Sequence, residues 1–598
     1  MTREITPSVG GTRDVNNTCN ILHVARSSQF NTSAVLKNIV VAQGLLASGE
    51  TLTTAVTQAF GGQTGVSWLG GDSSDVVSCL WVKDIDGVVG TLSTQLKPTP
   101  GGQDYLETIL PGDLLVVFMD DAGTYDPNSW LSGTLVTVVI VDRVALSTAV
   151  QNMAPTNDVG ISGRDLAVVL SETSTVFDSS FAEIENGMYT GAWINLLFGN
   201  KKRLALSPME NIFNLLLILF DRSATKTTKF PKGSSMSELQ WKLSPSGTEK
   251  LNNQAKNSED ALNEYATESQ VVSLIDVTTY VQNPTPFYAL APPPNIIQAA
   301  NVWSLLEGYA NTTLNEFFID IRDNTEQERK FRAAQSASAV KNYFNTPDGP
   351  VDLINQNTAV ANVLASGIFR SDVTQTNGGT SAPGAPDGVS IPALVLRQRP
   401  YDAATFDQLP FTEVDSTEVE SFEVARSSHD VVNWFRLRFP DIDVQLQEIV
   451  AGIRITPQSI AKFGYRRMDA ETIYMFVSSK IATAFKKGST KNIFAGIFQE
   501  YMDVLSTWFS QNEYWLAGQM TMRYKPSIRI GTRLRLYRND NTYDFYVQGV
   551  QQKFVKDPGG SRSTFTLTRG RNTTSPSVPL PTFLDFRHDG FHITQGSL

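Results

Sequence analysis

The sequence predicts an α+β, multidomain protein in which two similar small β-barrels are joined by mixed α/β and helical insertions. Three observations support this prediction. The chain has 598 residues, which is too long for one hydrophobic core, because single cores stop growing at roughly 250 to 300 residues. The stretch 513–570 holds short segments of alternating apolar and polar residues between compact turn signals. The stretch 109–165 has the same order of parts.

The later of the two predicted barrels spans residues 513–572. A turn ending at Gly531 precedes its first strand, the cluster Asn539-Asp540-Asn541 supplies a reversing turn, and the last strand ends at Gly570. The strands show the period of two that places one side of each in a core, with inward positions at Leu534, Leu536, Phe545 and Val547.

The earlier predicted barrel spans residues 21–180. Pro111-Gly112-Asp113 forms the turn before an apolar strand, a second turn contains Gly123 and Asp126, and a long apolar strand follows from residue 133. A further strand leads to Gly163-Arg164-Asp165. Both stretches show the same order of parts: a turn, a strand, a second turn, another strand, and a strand that ends at a glycine. The two stretches are therefore predicted to be structural duplicates.

Changes in composition divide the rest of the chain. Polar, Gly-rich and Pro-rich stretches mark arms and loops, and helical spacing marks insertions. A helix is predicted to start at Ser207-Pro208, one over 299–309, and the most amphipathic one over 492–509. The predicted segments are an N-terminal arm 1–20, a helical insertion 181–282, a middle mixed α/β domain 296–453 with a mobile loop at about 334–390, a helical segment 454–512, and a C-terminal arm 573–598.

The charge balance argues against a protein that wraps nucleic acid. The chain carries 49 basic and 60 acidic residues, a net charge of −11, and no basic block. Proteins that bind the phosphate backbone place basic patches on it. A channel wall along which nucleic acid slides would instead suit an acidic surface.

The two cysteines, Cys19 and Cys79, are too few for a disulfide framework or a cysteine-rich metal site. Sequence leaves open whether they form one bridge. The first 19 residues lack the apolar core of a secretory signal, and the longest apolar run is shorter than the roughly 20 residues of a membrane span. We therefore expect a soluble protein, made in the cytoplasm, without a membrane-spanning segment.

No motif in the sequence predicts an enzyme, a cofactor or a metal site. His588 and His592 lie four apart, but Gly590 between them disfavours the helix that a shared metal would need. Asp120 and Asp121 are adjacent, and neighbours on a strand point to opposite faces. No nucleophile elbow, phosphate-binding loop or zinc-protease helix occurs. We therefore expect a structural protein with no catalytic, cofactor-binding or metal-binding residues.

Several short segments of the sequence resemble the central baseplate hub proteins of contractile-tailed bacteriophages, which are related to the hub part of type VI secretion spikes. Their order along the chain carries the resemblance and covers most of 109–570. The segments are Pro111-Gly112-Asp113, Gly163-Arg164-Asp165, Trp303-x-Leu305-Leu306, Asn315-Glu316-Phe317, Arg397-x-Arg399-Pro400-Tyr401, Arg426-Ser427-Ser428 with Asn433, Ser459 to Arg466, Gly518 to Gly531, Phe545-Tyr546-Val547 and Thr566 to Gly570.

The resemblance implies a homotrimer in which each chain contributes two similar, tail-tube-like barrels to a pseudo-sixfold ring. Such a hub joins a sixfold tail tube to a threefold central spike in the virion baseplate. Its implied partners are itself, the tail tube protein, the spike protein, other baseplate proteins, and the tape measure protein and DNA that pass through the channel. The candidate barrel-shaping and assembly positions are Pro111, Gly112, Asp113, Arg529, Gly531, Phe545, Val547 and Gly570.

Two alternatives remain open at this stage. A tail-tip hub of a non-contractile tail would share the same core. A cell-wall-degrading virion enzyme is the second, because a lysozyme-like pair of carboxylates leaves little trace in one sequence.

Overall fold

The part of the protein that the structure describes is predominantly β-structure with few helices. The computed structural model describes residues 17–25, 54, 66–69, 75–97, 104–121, 134–151, 154–172, 183–185, 188–190, 301–310, 312, 315–323, 390–400, 406–407, 409–429, 431–440, 448–471, 505–506, 508–509, 512–556 and 560–574. Most of the two predicted arms lies outside these ranges, but residues 18–20 of the predicted N-terminal arm are the start of a buried strand. The predicted helix starting at Ser207, most of the predicted helix 492–509 and the histidines 588 and 592 also lie outside these ranges.

The described helices are α1 (Tyr105–Thr108), α2 (Ala167–Glu172), α3 (Val302–Ala310) and α4 (Pro457–Phe463), with short 3₁₀ turns at Ser416–Glu418 and Asn512–Tyr514. The described strands are β1 (Thr18–Val24), β2 (Val66–Trp68), β3 (Val76–Asp84), β4 (Thr91–Leu96), β5 (Leu114–Asp120), β6 (Thr134–Gln151), β7 (Ala154–Asp165), β8 (Glu183–Glu185), β9 (Met188–Thr190), β10 (Asn315–Asp323), β11 (Ser390–Gln398), β12 (Phe411–Asp415), β13 (Val419–Ala425), β14 (Trp434–Pro440), β15 (Glu448–Ile455), β16 (Arg467–Glu471), β17 (Leu516–Arg523), β18 (Arg533–Arg538), β19 (Asn541–Val555) and β20 (Arg562–Asn572).

Thirteen strands form one large, curled, mainly antiparallel sheet. Its order is β13-β17-β20-β19-β3-β4-β7-β6-β5-β1-β2, and β18 pairs with both β19 and β12. Three smaller sheets lie beside it: β10-β11, β15-β14-β16 and β8-β9. The long strands β6 and β19 form extended hairpins with β7 and β20.

The large sheet consists of two halves with the same strand order. We call β1 and β3 to β7 the first half, and β12, β13 and β17 to β20 the second half. In each, the strands lie in the order second, third, sixth, fifth, fourth, first when numbered along the chain. One pairing differs, since β1 is antiparallel to β5 whereas β12 is parallel to β18. The strands of both halves lie in one continuous sheet, so the expectation of two similar small barrels is not confirmed, and what recurs is the strand order.

The second half curls so that its two edge strands approach each other. β12 and β13 lie at opposite edges of this half, yet only the 3₁₀ turn Ser416–Glu418 separates them in the chain. Three residues span at most about 11 Å. The Asp415 carboxylate caps this turn by accepting the Thr417 backbone N–H at 2.8 Å.

Each half has its own hydrophobic core. The first includes Leu115, Val117 and Val139, and the second includes Leu534, Phe545 and Val547. Alternating residues of the second half's strands point into its core, as the period of two in the sequence predicts. β5 differs because Leu114 to Met119 is buried on both faces, which matches its unbroken apolar sequence.

One local prediction in the middle of the chain is confirmed. The helix expected over 299–309 is α3, and β10 follows it. A proline at the first helical position starts α4, and Gly464 ends it at φ 72° with its N–H bonded to the Ile460 carbonyl.

Candidate assembly site between the two halves

The two halves are joined by direct strand pairing. The earlier part of β19 pairs with β18, while residues 549–555 in its later part lie antiparallel to residues 78–84 of β3. The ladder continues past β3, where the Ile85 N–H donates to the Gln548 carbonyl at 3.0 Å. We call this β3–β19 pairing the internal seam.

Side chains at the internal seam complete each other's cores. Tyr524 and Phe554 belong to the second half but pack in the core of the first, with ring centroids 6.3 Å apart. Ile85 follows β3 but packs in the core of the second half. Burying each such side chain stabilises the folded state by about 1.5–3 kcal/mol, so separating the halves would expose both cores.

Arg529 makes a polar contact between the two halves. This side chain is 6% exposed and lies between the buried residues Ile528 and Ile530. Its guanidinium Nη2 donates a 2.5 Å hydrogen bond to the Leu135 carbonyl of β6. A buried cation needs such acceptors to offset its desolvation, so Arg529 fixes the approach of its segment to β6.

Gly112 and Gly531 form equivalent turns in the two halves. Both have positive φ, 94° and 68°, which glycine adopts without steric cost. The Gly112 N–H donates to the Val141 carbonyl at 2.8 Å, and the Gly531 N–H donates to the Val547 carbonyl at 2.7 Å. Each valine N–H donates back to the residue after the glycine, at 2.9 and 3.0 Å. Val141 and Val547 therefore occupy equivalent positions.

Asp113 ties the first of these turns to β1. Its buried carboxylate lies 2.9 Å from the His23 Nε2 and also accepts the Leu110 backbone N–H at 2.9 Å. Pro111 stands exposed at the corner of the turn. Asp113 thus shapes the first half from inside, whereas Pro111 contributes its restricted backbone.

Gly570 allows the close approach of Phe545. A Cβ atom at position 570 would lie 2.2 Å from the Phe545 Cε1, inside van der Waals contact. In the first half, a Cβ on Gly163 would lie 3.3 Å from Val139 and 2.6 Å from the Ile140 carbonyl oxygen. Val139 and Phe545 each precede the equivalent valine by two positions, so the same packing recurs with different side chains.

Arg569 holds an unusual backbone conformation beside Gly570. Its φ is 54°, a region that costs a residue other than glycine about 1 kcal/mol or more. The guanidinium lies 4.3 Å from the centroid of the Trp508 ring, and Nη1 donates to the Asn512 Oδ1 at 2.7 Å. Burial, together with the nearby charge of Arg399, lowers the pKa of Arg569 to about 9. Nothing in the sequence pattern distinguishes this arginine.

A buried carboxylate organises the outer strands of the second half. Asp544 accepts from Arg535 Nε at 2.8 Å and lies 3.4 Å from Arg533 Nη1. Both guanidinium groups stack on Phe411 of β12, 5.0 and 4.7 Å from the ring centroid. Burial lowers the pKa of Arg533, whereas the bond to Asp544 raises the pKa of Arg535. The alternation Arg533-Leu-Arg535-Leu is the sequence signal for this polar face.

A buried ion pair stabilises the first half next to the seam. Lys83 Nζ lies 2.6 Å from the Asp165 Oδ2, with both side chains nearly inaccessible to solvent. Asp165 also accepts the backbone N–H groups of Gly90 and Ala167 at 2.9 and 3.1 Å. Asp165 belongs to one of the segments on which the hub resemblance rests. Its partner Lys83 is 82 positions away in the chain.

The structure therefore brings Gly112, Gly531 and Val547 into matched turns, places Phe545 against Gly570, and bonds Arg529 to the other half. Pro111 is exposed at its turn. Their role in assembly stays a prediction. Within the described ranges, no group of three or more His, Cys, Asp or Glu side chains could hold a metal ion. In the same part of the chain, no helix is long and apolar enough to cross a membrane.

No protein-family model and no curated protein matches the chain. Solved structures do match. A tail protein from Neisseria meningitidis MC58 is similar with 10% identity and a TM-score of 0.38 over 83% of this chain and 93% of that one. The 43 kDa tail protein of prophage MuSo2 from Shewanella oneidensis gives 9% identity and a TM-score of 0.35 over 83% of this chain and 95% of that one.

An E. coli component of the type VI secretion system, itself structurally similar to T4 bacteriophage tail proteins, gives 7% identity and a TM-score of 0.30 over 85% of this chain and 77% of that one. The similar structures are thus phage tail and type VI secretion proteins, the same classes of protein that the sequence resemblance names.

Proposed function

We propose that this chain is a structural baseplate hub of a phage tail, a homotrimer whose six sheet halves form a ring around a channel. The proposal rests on the internal seam, in which β3 pairs with the later part of β19. The repeated strand order provides an equivalent pair of strand edges, on β13 and on the later part of β6. In the proposed ring these two edges meet between neighbouring copies of the chain.

The strand order defines which edges are equivalent. β3 and β13 are the second strands of their halves, and β6 and β19 are the fifth. The internal seam uses β3 and the later part of β19. Among the described strands, none pairs with the outer edge of β13 or with the matching edge of the later part of β6. An unpaired strand edge is a template for another chain.

Burial supports the match between the two edges. Irregularities in the ladder follow the equivalent valines, between Val141 and Arg143 and between Val547 and Gly549. This correspondence makes Leu146 the equivalent of Gln552. Gln552, which pairs with Trp81 of β3 in the internal seam, is 1% exposed, whereas Leu146 is 49% exposed. The exposure of a large apolar side chain here is what a missing partner strand would leave.

The same correspondence predicts the register of the intermolecular seam. The ladder irregularities between Val76 and Ser78 and between Val419 and Ser421 make residues 78–84 equivalent to residues 421–427. Residues 143–149 of one copy would therefore lie antiparallel to residues 421–427 of the next. Leu146 would then lie opposite Val424, a favourable apolar cross-strand pair. A contact that joins different surfaces of identical chains closes into a ring when its rotation permits.

Three copies of two similar halves give six similar positions with threefold repetition. In our proposal this ring adapts a sixfold tail tube to a threefold spike, with the tape measure protein and DNA passing through it. The net charge of −11 suits such passage. The second half would then include 411–425 as well as 513–572, and the other segments would contact further baseplate proteins. The role is structural and not enzymatic, in the virion tail.

The test compares two exposed leucines. Leu146→Glu places a charge in the proposed intermolecular seam, and Leu110→Glu is the matched control at a leucine that is 59% exposed and outside it. Light scattering after size-exclusion chromatography should give a trimer for the wild type and L110E, and a monomer for L146E. Projection images of the wild type should show six lobes with threefold symmetry. A wild-type chain that stays monomeric at high concentration, with or without tube and spike proteins, would overturn the proposal, as would an L146E variant that still forms the ring.

A further inference from the structure

Cys19 and Cys79 lie together in the core of the first half. Each is 1% exposed, and neither forms a disulfide. Cys19 is on β1 and Cys79 is on β3, and the two strands come within 8 Å between Cα atoms. The two thiols interact directly, and burial is the main cause that raises the pKa of Cys19. The pair is thus close in space though remote in the chain.

The pair occupies a particular place in the fold. β1 and β3 are the two edge strands of the first half, with β4, β7, β6 and β5 between them. The equivalent edges of the second half are β12 and β13, which the 3₁₀ turn Ser416–Glu418 ties together covalently. The chain between β1 and β3 contains more than forty residues. The first half therefore lacks the short covalent link that holds the second half closed.

We propose that Cys19 and Cys79 are an oxidation site at which a hydroperoxide forms a disulfide that closes the first half. The sulfur of one cysteine attacks a peroxide oxygen, the O–O bond breaks, and a sulfenic acid and one water form. The sulfur of the second cysteine attacks that sulfenic sulfur, the S–O bond breaks, and a second water leaves. Two thiols are oxidised to one disulfide, and hydrogen peroxide is reduced to two molecules of water.

Burial selects the oxidant. Thiol–disulfide exchange requires a bulky disulfide to reach the sulfur and pass through a mixed disulfide, and the surrounding core leaves no access for it. Hydrogen peroxide is close to water in size and enters during small openings of the core. The raised pKa of Cys19 keeps this residue as a thiol at neutral pH, so its reaction is slow. A long closed loop makes the product more stable.

The test uses the full-length folded protein after removal of reductant. Hydrogen peroxide should lower the intact mass by two hydrogen atoms, remove both thiols from labelling in denaturant, and yield a peptide that links Cys19 to Cys79. Oxidised glutathione should do this only when present during refolding. The melting temperature should rise by roughly 5 °C or more on oxidation.

Cys19→Ala and Cys79→Ala are the matched controls. In either variant, peroxide should add oxygen to the remaining cysteine instead of removing hydrogen, and the melting temperature should not rise. Recovery of both thiols from the wild type, addition of oxygen to it, or a disulfide between two chains would overturn the proposal. The mass measurement on the wild type decides this even if neither variant folds.

Discussion

Arg529 of the second half donates a hydrogen bond to the Leu135 carbonyl of the first half, although 394 positions separate the two residues in the chain. The bond joins the segment before β18 to the start of β6, and both ends are buried. It adds a polar connection to the strand pairing of the internal seam. The two halves thus meet through backbone, apolar and charged contacts.

Replacing Arg529 with methionine should weaken this connection. Methionine keeps much of the apolar stem but leaves the Leu135 carbonyl without its charged donor, which costs about 1–3 kcal/mol. Urea unfolding of the variant should show a lower midpoint. Arg523→Met, at an exposed position of β17, should change the free energy of unfolding by less than about 0.5 kcal/mol. Equal effects of the two substitutions would contradict the assigned role of Arg529.

Adding one methyl group at Gly570 should be more damaging than its size suggests. The new Cβ would lie 2.2 Å from the rigid Phe545 ring, and overpacking of a core costs about 1–3 kcal/mol. Phe545→Leu removes the ring atoms that clash. In a double-mutant cycle, Phe545→Leu should therefore make Gly570→Ala less costly. Purely additive free energies of unfolding would show that the ring is not what glycine accommodates.

The sequence predicts the strands of this fold better than their partners. Alternation at Leu534 and Leu536 predicts β18, and the repeated turn predicts the equivalence of Gly112 and Gly531. The seam itself has no sequence signal, because pairing between residues 78–84 and 549–555 depends on contacts remote in the chain. The same holds for β12 and β13, which join the second half from 411–425.

The candidate site shows the same division. Glycines were identifiable because positive φ and close approach exclude other residues, whereas Lys83 looks like any strand lysine until Asp165 is placed beside it. Arg569 is similar: its backbone conformation is imposed by its surroundings. One sequence predicts residues whose role depends on their own backbone conformation, but it does not predict which side chains pair across the sheet.

Lys83→Met should be strongly destabilising because it leaves Asp165 buried without its cation. Two backbone N–H groups still bond to Asp165, but breaking a buried pair costs about 3–5 kcal/mol. Arg164→Met is the matched control, since Arg164, next to Asp165 on β7, forms partly exposed ion pairs with Asp142 at 2.6 Å and Glu172 at 2.7 Å. Each of these partly exposed pairs should contribute no more than about 1 kcal/mol. Thermal unfolding of the two variants measures the contrast, and a smaller loss for K83M than for R164M would refute it.

Replacing Asp84 or Asp415 with asparagine should change the free energy of unfolding in opposite directions. Burial raises the pKa of Asp84 from 3.8, so the ionised carboxylate destabilises the folded state. As the pH falls through the raised pKa, Asp84 becomes protonated and the free energy of unfolding of the wild type increases. The Thr417 backbone bond lowers the pKa of Asp415 from 3.8, so its ionised form stabilises the folded state and that stability is lost as pH falls through the lowered pKa.

At neutral pH, Asp84→Asn should therefore raise the free energy of unfolding and Asp415→Asn should lower it. Each difference from the wild type should shrink as the solution is acidified, because the wild-type carboxyl becomes neutral like the amide. The Asp84→Asn difference should shrink at a higher pH than the Asp415→Asn difference, since the first pKa is raised and the second lowered. Urea unfolding over a series of pH values measures both, and effects of the same sign at neutral pH would show that burial does not govern Asp84.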